Sequence, residues 1–117
     1  MKVLVMDTTE DSRYYAVVSK YYNDVELDTE TVTDRAASKI SMKAYDLIVM
    51  SDIPGKMDML DLTDRISSSV LNRKCEVILM MDNPTKMHRI KGILSGRGFR
   101  ALKTNELDEL NAIFERK

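Results

Sequence analysis

Three short segments of this chain contain no polar residue: Val3-Leu4-Val5-Met6, Leu47-Ile48-Val49-Met50 and Val77-Ile78-Leu79-Met80-Met81. A strand with one face in water alternates apolar and polar residues, because successive side chains point to opposite faces. A run without alternation fits a strand covered on both faces, as in a parallel sheet sandwiched by helices. Two other β-like runs are mixed. Val25-Glu26-Leu27-Asp28-Thr29 alternates apolar and acidic residues, and Phe99-Arg100-Ala101-Leu102 carries an arginine inside it. Mixed runs suit sheet edges, where one side meets water.

Segments of helical period separate these runs. Tyr14, Val17, Val18 and Tyr21 share one face, as do Ala36, Ala37 and Ile40. Met59, Leu62, Ile66 and Val70 make a third face, Met87, Ile90, Ile93 and Leu94 a fourth, and Leu107, Leu110, Ile113 and Phe114 a fifth. Gly96 stands near the C-cap of the fourth, and Asn105 with Asp108 forms a capping-box variant at the start of the fifth. Five strand–helix pairs in 117 residues predict one (βα)5 domain over residues 1–117. Short right-handed crossovers make the sheet parallel, and the mixed runs at its edges give the flavodoxin-like order 2-1-3-4-5 in a three-layer α/β sandwich.

Composition narrows the function classes. Eighteen basic and 19 acidic residues leave no bulk charge for polyanion binding or mimicry. One cysteine, Cys75, excludes a disulfide framework and a multi-cysteine zinc site, and Cys75 reads as a small, buried or half-buried residue. No apolar run is long enough to span a membrane, and a reducing cytoplasm is the expected setting. Nine methionines suit gap-filling in the core, Met59 included, while Met57 is a candidate adaptable contact.

In such a sheet, sites lie at the carboxyl ends of the strands, near the switch between the first and third. Asp7 and Thr8, Ser51 and Asp52, Met81 and Asp82, and Lys103 occupy those places. Asp7 and Asp52, from neighbouring strands, are the candidate ligands for a hard cation such as magnesium. The alternative is a solvated acidic loop in which Asp11 or Ser12 caps the first helix. Glycine-rich phosphate loops are missing, and the lone His88 has no serine elbow or second histidine with which to build a triad. Neither an enzyme nor a cofactor-binding protein is expected.

At this point the chain resembles the response-regulator receiver domain, the CheY-like family, over nearly its full length. Lys2-Val3-Leu4-Val5-Met6-Asp7 followed by Arg13 looks like that family's opening strand, acidic pair and helix-one arginine. Tyr45-Asp46-Leu47-Ile48-Val49-Met50 followed by Pro54-Gly55-Lys56-Met57-Asp58 looks like its third strand and following loop, the more specific match. The stretch from Gly96 leads to Lys103, which matches the family lysine 22 residues after Met81. The resemblance implies a phosphoryl group accepted by an aspartate at the end of strand three. Magnesium held by the acidic pair and that aspartate offsets its charge, and a strand-four hydroxyl and the lysine bind its oxygens.

Most of these working positions are altered. The acidic pair is Asp7-Thr8, the acceptor position is Ser51, and Asp52 stands one residue late. The switch hydroxyl is replaced by Met81 and followed by Asp82, the switch aromatic is Arg100, and Thr104 follows Lys103 where a proline is usual. A phosphoaspartate adds about 1.5 to 2 negative charges, and these exchanges remove the groups that would stabilise them. The resulting expectation is a pseudo-receiver, a protein-interaction module that works without phosphorylation. The alternative is an atypical active receiver that accepts phosphoryl on Asp52, with magnesium held by Asp7. A flavodoxin-like flavin binder is a distant third, supported only by Thr8 and Thr9.

Charge is unevenly spread. Residues 84–103 hold Lys86, Arg89, Lys91, Arg97, Arg100 and Lys103 with no acid, whereas residues 23–34 hold five acids and no base. The predicted fourth helix and fifth strand therefore carry a basic strip, on the face of helix four, strand five and helix five that receiver domains commonly use for partners. The strip predicts an acidic protein partner or a homodimer; nucleic acid is disfavoured because the domain has no basic excess overall. The predicted fifth helix runs out at Lys117, which leaves a stand-alone protein and one part of a longer protein equally open.

Overall fold

A computed structural model describes residues 2–7, 20, 26–51, 53–81, 100–103 and 112, with the backbone alone at 81 and 100–103. The elements run β1 (Lys2–Met6), β2 (Glu26–Glu30), α1 (Thr33–Met42), β3 (Leu47–Ser51), α2 (Met59–Ser68), β4 (Glu76–Met81) and β5 (Arg100–Lys103). The strands form a single parallel sheet in the order β2-β1-β3-β4-β5. The two mixed runs are its edges, and the three all-apolar runs are its interior. The predicted first, fourth and fifth helices lie outside the described residues, apart from the helical Lys20 and Ala112.

Residues of both parities on the central strands are fully buried, which is why these strands show no alternation. Leu4, Met6, Ile48, Met50, Val77 and Leu79 belong to one core cluster with Ala36, Ala37 and Ile40 of α1 and Met59, Leu62 and Ile66 of α2. Val3, Val5, Leu47, Val49, Ile78 and Met80 alternate with them and are equally inaccessible. At the β2 edge burial is only intermediate after the exposed Glu26, so an acidic alternation costs little there.

The helices follow from their apolar faces, with one correction. Val70 does not extend the third predicted face. The helix α2 stops at Ser68, its C-cap is Ser69, and Val70 is 83% exposed. Periodicity ran one turn too far through a serine-rich segment in which side chains compete for backbone hydrogen bonds. The start of α2 is a capping box: the Asp58 carboxylate accepts from the Asp61 N–H at 2.8 Å, and the Asp58 N–H donates to Asp61. Met59 is core and Met57 is partly buried against it. Cys75 is half-buried, and burial together with the Asp46 charge pushes its thiol up to about 12, so it stays protonated at neutral pH.

No side chain of its own caps α1; distant loops hold both of its ends. At its start, the Thr33 N–H donates to the Pro54 carbonyl and the Thr33 hydroxyl accepts from the Met57 N–H. Gly55 lies between these contacts with φ +143°, and a Cβ there would overlap Thr33 Oγ1. Glycine is thus required on two counts, backbone angle and space. At the other end, the buried Asn72 amide donates to the Ile40 and Lys43 carbonyls, and its oxygen accepts from the Tyr45 N–H at 2.7 Å. Carbonyls in the last turn of a helix lack internal partners, and Asn72 supplies them from 29 or more residues away in sequence.

Candidate functional site

Four strands deliver named residues to the carboxyl edge. Met6 pairs with Met50 in neighbouring β1 and β3, so Asp7 and Ser51 leave the sheet side by side. Both are buried: Asp7 is 7% exposed and Ser51 6%. The Ser51 hydroxyl donates to the Met6 carbonyl at 2.6 Å and lies 3.3 Å from Asp7 Oδ1. A hydroxyl has one proton, and the shorter contact takes most of it; the Asp7 contact is the weaker branch. The Asp7 N–H donates to the Glu30 carbonyl, which ties this corner to β2.

Ser51 is the last residue of β3, at the position the sequence resemblance assigns to the phosphoryl acceptor. Asp52, the alternative acceptor and candidate magnesium ligand, lies outside the described residues. On the far side, Met81 pairs with Lys103 across β4 and β5, so the two positions that the sequence resemblance assigns to the switch hydroxyl and the lysine share one register. Lys103 is the last residue of β5 rather than the first after it. Of the basic strip, Lys86, Arg89, Lys91 and Arg97 fall outside the described residues, and Arg100 contributes its backbone to β5.

Glu30 also stands at this edge, and the sequence reading did not single it out. Its carboxylate meets Lys39 Nζ at 3.0 Å and Arg35 Nε at 3.4 Å. Two bases from one face of α1 therefore occupy it, and it does not join Asp7 as a ligand. The signal was present in the sequence as Glu30, Arg35 and Lys39, but it needed β2 and α1 to be placed side by side. Among the described residues no three His, Cys, Asp or Glu side chains gather to hold a metal. The described edge offers magnesium one carboxylate and a hydroxyl that is already donating. Asp52, the other candidate ligand, lies outside the described residues.

A second polar network lies away from this edge. The Tyr45 hydroxyl donates to Asp28 Oδ2 at 2.7 Å, and Lys43 Nζ reaches the same oxygen at 3.1 Å. Burial pulls the Asp28 carboxyl upward, but the hydrogen bonds from Tyr45 and Lys43 outweigh it and hold the group below its ordinary value. Burial and the Asp28 charge both drive the Tyr45 phenol upward, so it remains neutral.

The geometry defines an α/β protein with a five-stranded parallel sheet, its switch point between β1 and β3, and Asp7 beside Ser51 at that point. Solved structures share this architecture. The N-terminal domain of an uncharacterized protein from Wolinella succinogenes is similar with a TM-score of 0.67 and 20% identity, covering 99% of this chain and 94% of that one. The N-terminal domain of a response regulator receiver protein from Methanoculleus marisnigri is similar with a TM-score of 0.59 and 15% identity, covering 96% and 92%. At these identities the likeness establishes the fold. No protein-family model and no curated protein matches the chain. Among the described residues no helix is long and apolar enough to cross a membrane.

Proposed function

We propose that this protein is a receiver-type signalling module that binds other proteins and works without accepting a phosphoryl group or catalysing a reaction. The observation that carries this reading is the Ser51 hydroxyl, buried at the end of β3 and turned onto the Met6 carbonyl beside Asp7. A serine in that place supplies neither the carboxylate that forms an acyl phosphate nor a metal ligand of full charge. Met81, in register with Lys103, adds no hydroxyl for phosphoryl oxygens. The partner surface on this reading is the basic strip of Lys86, Arg89, Lys91, Arg97 and Arg100, and its partner is an acidic protein face or a second copy. A reducing cytoplasm suits the single free Cys75.

Titration with beryllofluoride and magnesium, followed by amide NMR, tests the loss of phosphorylation chemistry. The amides of Asp7, Ser51 and Lys103 are expected to stay in place. Saturable, magnesium-dependent shifts centred on residue 52 would overturn the reading in favour of an active receiver using Asp52.

A further inference from the structure

The strongest unexplained feature lies away from the sheet edge, between α1 and α2. Two adjoining hollows of about 650 and 340 Å³ share Ser41, Met57 and Arg65 and so form one continuous groove. Half-buried Met57 lies in both, and the groove ends are apolar: Met42 is 77% exposed, Val70 83% and Leu71 48%. These are the large exposed hydrophobic residues of the described chain, and all three line the same groove. Three acids, Asp34, Asp61 and Asp64, stand along it against one base, Arg65. Each flanking helix has ten residues, about 15 Å of length, enough to receive about three turns of a guest helix.

We infer that this groove is a docking site for a basic amphipathic helix of a partner protein. A helix-in-groove contact needs apolar residues at i, i+3 and i+4 spacing on the guest and an unfilled apolar channel on the host. Met42, Met57, Val70 and Leu71 supply apolar anchor points at its ends and middle, with serines and charged residues between them, and methionine adapts to varied side chains. Charge selects the guest: acids on the rim attract lysines and arginines flanking its apolar face and repel an acidic helix. Its charge preference is opposite to that of the basic segment 84–103.

The test uses the intact chain and a fluorescently labelled leucine–lysine amphipathic helical peptide, read by anisotropy. Asp64→Lys is expected to weaken binding about tenfold, and the pair Met42→Ser and Val70→Ser by a similar factor. Glu26→Lys, the same change of charge outside the groove, is expected to leave binding intact. A peptide of identical composition but scrambled periodicity is expected not to bind. Equal binding by the groove variants, or equal binding of the scrambled peptide, overturns the inference. Concentration-dependent self-association in sedimentation that these substitutions abolish also overturns it, because a second copy would then fill the groove. The altered residues are exposed, and thermal melts check that each variant keeps its fold; if one set melts early, the other decides.

Discussion

The two ends of β3 are built differently. At the amino end, Asn72, Tyr45, Asp28 and Lys43 form a connected network, and Asp46 binds Lys2 through both backbone and side chain. At the carboxyl end, where receivers do their chemistry, Ser51 makes one short hydrogen bond to Met6 and a longer contact to Asp7. The amino end bears on stability through Asn72 and Tyr45, which are buried and whose polar groups must be satisfied, while Lys2, Lys43 and Asp46 are exposed. At the carboxyl edge Asp7 and Ser51 are buried too, but the Ser51 hydroxyl bonds one strand carbonyl rather than several helix-end groups. On the proposed reading, substitution there removes chemistry while leaving the sheet intact.

The comparison predicts a graded series. Asn72→Ala is expected to have the largest effect, about 3 to 4 kcal/mol of lost stability by urea denaturation, because it strands two helix-end carbonyls and the Tyr45 N–H in a buried place. A loss under about 1 kcal/mol would break the contrast between the two ends.

Tyr45→Phe is expected to cost about 1.5 kcal/mol, the worth of a hydrogen bond to a charged group, and to change the pH profile. The phenol is raised above its ordinary 10.0, so its contribution is complete below that pH and fades as pH rises further. The Asp28 carboxyl is held below its ordinary 3.8, so its contribution is complete above that pH and fades as pH falls through the lowered value. Melting temperatures of Tyr45→Phe should therefore lose alkaline sensitivity above pH 10 and weaken in acid sensitivity below pH 4. An unchanged alkaline limb would remove Tyr45 from the network.

Ser51→Ala is expected to have the smallest effect, about 1 kcal/mol, with the sheet retained. Equilibrium unfolding checks it, and a loss matching that of Asn72→Ala would show that the carboxyl edge bears on stability as heavily as the amino edge.

These regions also differ in how far they could be read from sequence. The interior strands were legible because burial on both faces erases alternation, and the buried faces of α1 and α2 were legible from Ala36, Ala37, Ile40, Met59, Leu62 and Ile66. Val70 was misread because an apolar residue at the right interval says nothing about where a serine run ends a helix. Asn72 was invisible. A lone asparagine in a polar stretch looks like any turn residue, and its partners, Ile40, Lys43 and Tyr45, lie 27 to 32 residues away. Ser51 stood out by its place in the receiver pattern, but the direction of its hydroxyl required β1 and β3 to be set side by side. The basic strip was read from charge alone, and Lys86, Arg89, Lys91 and Arg97 lie outside the described residues.

The seating of Gly55 against Thr33 has a mechanical consequence. The segment that leaves β3 is fastened to the first turn of α1 by the Thr33–Pro54 and Met57–Thr33 hydrogen bonds and, one residue on, by the Lys56 N–H donating to Asp34. Residues 54–57 therefore cannot shift as an independent flap: any displacement that starts beside Ser51 must either break these fastenings or drag one wall of the helical channel with it.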